Sequence, residues 1–196
     1  PEVTPDQNNA VQEIVRAARS GRFHSFLLHG ITGSGKTEVY LAAAREVLDI
    51  GRSVLYLVPE IALTPQTIAM VKDRIPVEVA VFHSGLPPRE RAKEFMKVVT
   101  GGVRFVLGTR SAIFSPLREL GLVIVDEEHD HSYKQEDGIP YNARDLSILR
   151  AKNNQAVVIL GSATPSMDTM DRIRLPHSSL ITMNNRIGPA ALPEMV

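Results

Sequence analysis

Residues 30–37 read Gly30-Ile31-Thr32-Gly33-Ser34-Gly35-Lys36-Thr37, a spacing suited to gripping a chain of phosphates. Glycines let successive backbone N–H groups turn inward around phosphate oxygens, and the helix start that follows adds positive potential. In such a loop Gly30, Thr32, Gly33, Ser34 and Gly35 line the phosphates. Lys36 reaches the β- and γ-phosphates, and the Thr37 hydroxyl faces a magnesium ion. The flanks agree with this reading. Apolar Phe26-Leu27-Leu28 precedes the loop, and the helix-favouring stretch 38–48 follows it. The pattern implies a nucleoside triphosphate site.

A phosphate loop needs acids opposite it. Leu122-Val123-Ile124-Val125-Asp126-Glu127-Glu128-His129 supplies four apolar residues and then carboxylates at what reads as a strand end. Asp126 is placed to hold magnesium opposite Thr37. Glu127, one residue on, is expected on the other side of the strand end, where it can polarise a water against the γ-phosphate. The reading requires the lysine strand tip and the acid strand tip to be neighbours. His129 and His131 could form a zinc pair, but no further ligands at metal spacing accompany them. Gly108-Thr109-Arg110 and Gly161-Ser162-Ala163-Thr164-Pro165 also follow apolar runs and fall at the same expected edge.

The elements that must position these residues alternate along the chain. Strands are expected over 24–28, 54–58, 79–82, 103–107, 122–125, 157–160 and 180–183, mostly as unbroken apolar runs that suit burial on both faces. Thr4-Pro5 and Thr64-Pro65 are helix starts, the first leading into a stripe of Val11, Ile14, Val15 and Ala18. Ala92, Phe95, Met96 and Val99 are expected to form a buried helix face, and Asn142 to cap a helix running to about Lys152. This is an α/β fold: a doubly wound, mainly parallel sheet flanked by helices.

Composition sets the bounds. At 196 residues the chain has room for one domain with a sizeable core, and no apolar run is long enough to span a bilayer. Without cysteine there is neither a disulfide nor a Cys-ligated zinc. Basic and acidic residues balance at 22 each, so the chain lacks the overall charge of a sequence-reading nucleic-acid binder. A motor that grips a strand through amides and hydroxyls remains compatible. The first residue is not methionine, and 184–196, with Gly188, Pro189 and Pro193, lacks periodicity. These features read as one lobe, 1–183, followed by a linker toward a second.

Taken in order, these motifs resemble those of superfamily-two helicases. Residues 30–37 match motif I, Asp126-Glu127-Glu128-His129 motif II, and Ser162-Ala163-Thr164 motif III. More narrowly, 57–66, 83–86, 108–114 and 126–130 resemble the primosomal replication-restart helicases, as do 133–138 and 141–146. The resemblance covers nearly the whole chain and implies a RecA-like ATP-binding lobe of a 3′-to-5′ DNA helicase. It implies that Gln7 reads adenine and that Lys36 and Thr37 hold phosphate and magnesium. Asp126 would hold magnesium, Glu127 would position the attacking water, and His129, Ser162 and Thr164 would relay nucleotide state. Pro59, Glu60 and Thr64, with Thr109 and Arg110, would touch the backbone of the tracking strand. The loop carrying Tyr133, Lys134 and Tyr141 would add stacking or cationic contacts.

ATP and Mg2+ are the implied cofactors, with zinc only in a part of such proteins absent from this chain. Implied partners are single-stranded or forked DNA, primosome proteins and single-stranded DNA-binding protein, in a bacterial cytoplasm near the nucleoid and without a membrane. Two other classes compete. A small-molecule kinase or GTPase would use the same loop, but no Asn-Lys-x-Asp guanine reader or lid-like arginine cluster is present. A nucleotide-gated binding module without turnover would not need Lys36, Asp126 and Glu127 together.

Overall fold

The computed structural model describes residues 4–183, so the expected linker at 184–196 lies outside the described residues. The strands are β1 His24–Gly30, β2 Ser53–Leu57, β3 Val79–Phe82, β4 Phe105–Gly108, β5 Leu120–Val125, β6 Lys134–Gln135, β7 Tyr141–Asn142, β8 Val157–Ser162 and β9 Ser178–Met183. The helices are α1 Pro5–Arg19, α2 Lys36–Asp49, α3 Pro65–Arg74, α4 Pro88–Val99, α5 Ala143–Asn153 and α6 Met167–Arg172. Seven strands form one sheet in the order β3-β4-β2-β5-β8-β1-β9, while β6 and β7 pair separately as an antiparallel hairpin. Every pairing in the large sheet is parallel, so all its carboxyl ends share one edge.

Alternation along the strands divides the core into two layers. Phe26, Leu28, Tyr56, Leu107, Ile124 and Ile159 pack with residues of α1, α2 and α3. Leu27, Leu57, Val106, Val125 and Leu160 face the opposite way, with Val98 of α4 and Ala143 and Ala151 of α5. Burial on both faces explains why the strand sequences are continuously apolar rather than alternating.

The helix starts follow from their caps. The Thr4 hydroxyl accepts from Gln7 N at 3.3 Å while Gln7 Oε1 accepts from Thr4 N at 2.8 Å, a reciprocal capping box. Thr64 caps α3 through Thr67 N, and Asn142 caps α5 through Arg144 N. The expected buried face of α4 is not the one observed. Phe95 is 43% and Met96 55% exposed, whereas Val98 is buried. The helix lies against edge strand β3 through Glu94 and Val98, and the Glu94 carboxylate accepts the edge amide of Val81 at 3.3 Å. An edge-strand N–H needs a partner, and meeting that need turned the helix.

Candidate active site

The sheet order places β8 between β1 and β5, so the lysine and acid strand tips are not neighbours as expected. Their side chains converge nonetheless. Lys36, the first residue of α2 and 8% exposed, folds back to donate to Gly30 O at 2.8 Å. Its Nζ lies 3.7 Å from Glu127 Oε1. Gly33 and Gly35 have φ of 81° and 83°, the left-handed backbone that turns the loop into the helix.

Glu127 itself has φ of 45°, a costly conformation for a side-chain-bearing residue and one that concentrates at functional sites. The turn is held by Glu128 N donating to Gly161 O and Asp130 N donating to Glu127 O, at 2.9 and 2.8 Å. It brings the Glu127 carboxylate toward Lys36, rather than to the opposite side of the strand end. His129 Nδ1 lies 3.7 Å from Glu127 Oε2 and 2.8 Å from Ser162 Oγ, and its Nε2 lies 3.4 Å from Thr164 Oγ1. Ser162 Oγ also accepts from Thr164 N at 3.0 Å. One imidazole therefore links the acid turn to the end of β8. Among the described residues no three-residue cluster of His, Asp and Glu suits a metal, so the zinc reading of His129 and His131 has no support.

Asp126 sits more deeply. Its Oδ1 accepts the Tyr40 hydroxyl at 3.0 Å and Glu127 N at 3.1 Å. Burial, reinforced by repulsion from Glu127, raises its pKa to about 6 against the help of Tyr40 and Lys36. A carboxylate with a raised pKa binds protons more readily folded than unfolded. Stability therefore falls as pH rises from about 4 to about 6, and the penalty is fully present above that window. Asp126→Asn should accordingly stabilise the metal-free protein at pH 7.5 by on the order of 1–3 kcal/mol. Melts in EDTA check this: the advantage should shrink through pH 6 and vanish near pH 4. A variant that melts below wild type at pH 7.5 contradicts the assignment.

The donor set fits a phosphate and a divalent cation. Ser34 Oγ is buried in the loop without a hydrogen-bond partner, an orphan that a phosphate oxygen would satisfy. Both hydrogen bonds to the Asp126 carboxylate fall on Oδ1, leaving Oδ2 for a hard cation, with the Thr37 hydroxyl at the start of α2 as a second oxygen donor.

Several expected contacts are placed differently. Gln7 is 1% exposed; its Oε1 caps α1 and its Nε2 donates to Gly35 O at 3.3 Å. It braces the phosphate loop from beneath instead of presenting a free amide to a base. Tyr133 is 1% exposed and cannot stack a base; its hydroxyl donates to Asp126 O at 2.6 Å and Leu57 O at 3.2 Å, tying two strand ends together. Thr109 is 2% exposed and Pro59 is buried, so their side chains do not meet a strand. Thr64 is engaged as the α3 cap.

The accessible edge is made by Glu60, bonded to Ser84 Oγ at 3.1 Å, by exposed Lys134, and by Arg110. The Arg110 guanidinium donates to the carbonyls of Ser132 and Lys134 and so joins the turn after β4 to the loop after β5. Tyr141 packs edge-on against Phe114, ring centroids 5.1 Å apart, and Phe114 and Ile61 are 61% and 87% exposed.

Three contributors were not legible as site residues. Tyr40 and Tyr56 are buried beside Asp126 and Thr37, where an aromatic in a helix or strand reads as ordinary core. Glu128 is a buried hub. It accepts from Ser166 N at 2.7 Å, Thr169 Oγ1 at 2.7 Å, Ser166 Oγ at 3.1 Å and Arg144 Nη1 at 3.2 Å.

A parallel sheet with a glycine loop, a lysine and two acids converging at its carboxyl edge defines a phosphate-loop nucleotide-binding lobe. The chain belongs to the DEAD/DEAH box helicase family, whose description matches residues 4–173. It is 42% identical over 193 residues to the replication restart protein PriA of Bacillus subtilis, covering 98% of this chain and 24% of that protein. PriA of Chlamydia pneumoniae is 46% identical over 166 residues, 84% of this chain and 22% of that one. The chain thus spans about a quarter of the length of the curated relatives it matches. RecG bound to a three-way DNA junction superposes with a TM-score of 0.67 at 24% identity, over 96% of this chain and 24% of that one. A hypothetical ATP-dependent RNA helicase from Sulfolobus tokodaii gives 0.66 at 18% identity, over 93% and 53%. At these identities the structures speak for the RecA-like fold. Among the described residues no helix is long and apolar enough to cross a membrane.

Proposed function

We propose that this chain is the ATP-binding motor lobe of a DNA helicase that acts in replication restart and moves 3′ to 5′ on single-stranded or forked DNA. The observation that carries the reading is the 3.7 Å approach of Lys36 Nζ to Glu127, beside a half-buried Asp126 and above a loop with an orphaned Ser34 hydroxyl. On ATP binding, the Lys36 ammonium leaves Gly30 O for the β- and γ-phosphates, and the loop amides and Ser34 satisfy the remaining oxygens. Thr37 and Asp126 would hold Mg2+, which when bound neutralises charge on the phosphates. Glu127 accepts a proton from the attacking water. His129, bridging Glu127 to Ser162 and Thr164, transmits the change at the γ-phosphate to the end of β8. Glu60, Arg110 and Lys134 offer the strand-facing contacts, and the 42% identity to a replication restart protein supports DNA and restart-complex proteins as partners.

Calorimetric titration tests the site. Lys36→Ala removes charge-assisted hydrogen bonds of about 1.5–3 kcal/mol, so Mg·ATP affinity should fall roughly 10- to 150-fold. An affinity indifferent to Lys36 would refute the nucleotide site.

A further inference from the structure

We propose that Tyr40 and Tyr56 are positioning residues, two buried phenols that each hold one of the oxygen donors, Asp126 and Thr37, on which a divalent cation would sit. The proposal rests on the nucleotide site argued above. Tyr40 is fully buried and Tyr56 2% exposed, with ring centroids 5.7 Å apart and planes at 65°, an edge-on pair. The Tyr40 hydroxyl donates to Asp126 Oδ1 at 3.0 Å, and the Tyr56 hydroxyl meets the side chain of Thr37.

The circuit closes through the fold. Thr37 and Tyr40 are one turn apart on α2, so they share a helix face. Tyr56 on β2 pairs in register with Ile124 on β5, the strand that ends at Asp126. Each cation donor is thus fixed by a side chain carried on the other donor's side of the site. The distance between them is set by two packed rings rather than by flexible side chains.

Two features indicate that the hydroxyls matter beyond packing. Phenylalanine would fill the same space without burying a polar atom, and a buried hydroxyl is unfavourable unless bonded. Gly161 on β8, the strand between the two halves of the site, also makes room for one of them. A Cβ there would overlap the Tyr40 hydroxyl. Tyr133 completes the arrangement from the other face by holding Asp126 O and Leu57 O.

The test measures ADP affinity of this chain by calorimetry with Mg2+ and with EDTA, for wild type, Tyr40→Phe, Tyr56→Phe and Gly161→Ala. Groups that orient a metal ligand typically change metal affinity 10- to 100-fold. Each variant is therefore expected to lose about tenfold or more of the gain that Mg2+ confers, with ADP affinity in EDTA changed less than twofold. Gly161→Ala crowds the Tyr40 hydroxyl while leaving both tyrosines and both donors unsubstituted, so it tests the placement of that hydroxyl by a second route. Full Mg2+ gain in folded Tyr40→Phe and Tyr56→Phe overturns the proposal while leaving the nucleotide site intact. Equal losses with and without metal also overturn it, since that marks a packing role. If wild type shows no Mg2+ gain, the underlying site reading fails and the proposal with it.

Discussion

Replacing Glu128 by alanine should destabilise the lobe by about 3–5 kcal/mol, the cost typical of removing one partner from a buried ion pair. The Glu128 side chain is wholly buried, and Arg144, 9% exposed, donates to it at 3.2 Å. Two hydroxyls and the Ser166 amide also end on its carboxylate. Alanine removes the acceptor that all four donors share. Asp145 and Asp168, at 3.2 and 3.6 Å from Arg144, soften the loss of charge but are themselves 44% and 78% exposed and well screened. The effect reaches the site because Glu128 joins the turn after β5 to the start of α5 and the start of α6. Urea unfolding reads it as a lower midpoint at unchanged slope. Glu128→Gln, which keeps the volume and an acceptor, should lose less. A cost under about 1 kcal/mol for alanine would show that the hub is not buried as described.

Glu128 also marks where sequence stopped being legible. Within Asp126-Glu127-Glu128-His129 the three acids look alike, and only the turn at Glu127 sends one toward the Tyr40 hydroxyl, one toward Lys36 and one into the core. The strands were legible because burial on both faces leaves a composition that a helix or loop does not share. Their starts and ends moved by a residue or two, as at β4, expected from 103 and found from Phe105. The face of α4 was misread because periodicity identifies an apolar stripe but not whether an edge strand has already claimed the helix through its unpaired amide. Tyr133 was misread for a related reason. An aromatic next to a charged loop looks exposed, but two carbonyls at the ends of β2 and β5 needed a donor, and its hydroxyl supplied one. The separation of β1 from β5 by β8 is set by long-range strand order, which no local motif encodes.

Glu127→Gln should reduce ATP turnover about 10²–10⁴-fold, the range for losing a general base, with Mg·ATP binding kept within a few-fold. The two acids occupy environments that suit opposite tasks. Asp126 is half-buried and pinned through Oδ1, so its carboxylate is fixed in place. Glu127 is 36% exposed and, among the described residues, no hydrogen bond reaches its carboxylate; Lys36 and His129 each stand 3.7 Å away. It is therefore the carboxylate that a water can approach. Glutamine preserves size and polarity but cannot take up a proton, so kcat should fall while the nucleotide dissociation constant holds. Steady-state phosphate release, measured in a chain extended to the length of its relatives, separates the two. Lys36→Ala should fail chiefly in binding and Glu127→Gln chiefly in turnover, and that split is the signature of one site with divided labour. Unchanged turnover in Glu127→Gln would remove Glu127 as the general base and require another group to activate the water, with Lys36 and Asp126 still holding the nucleotide.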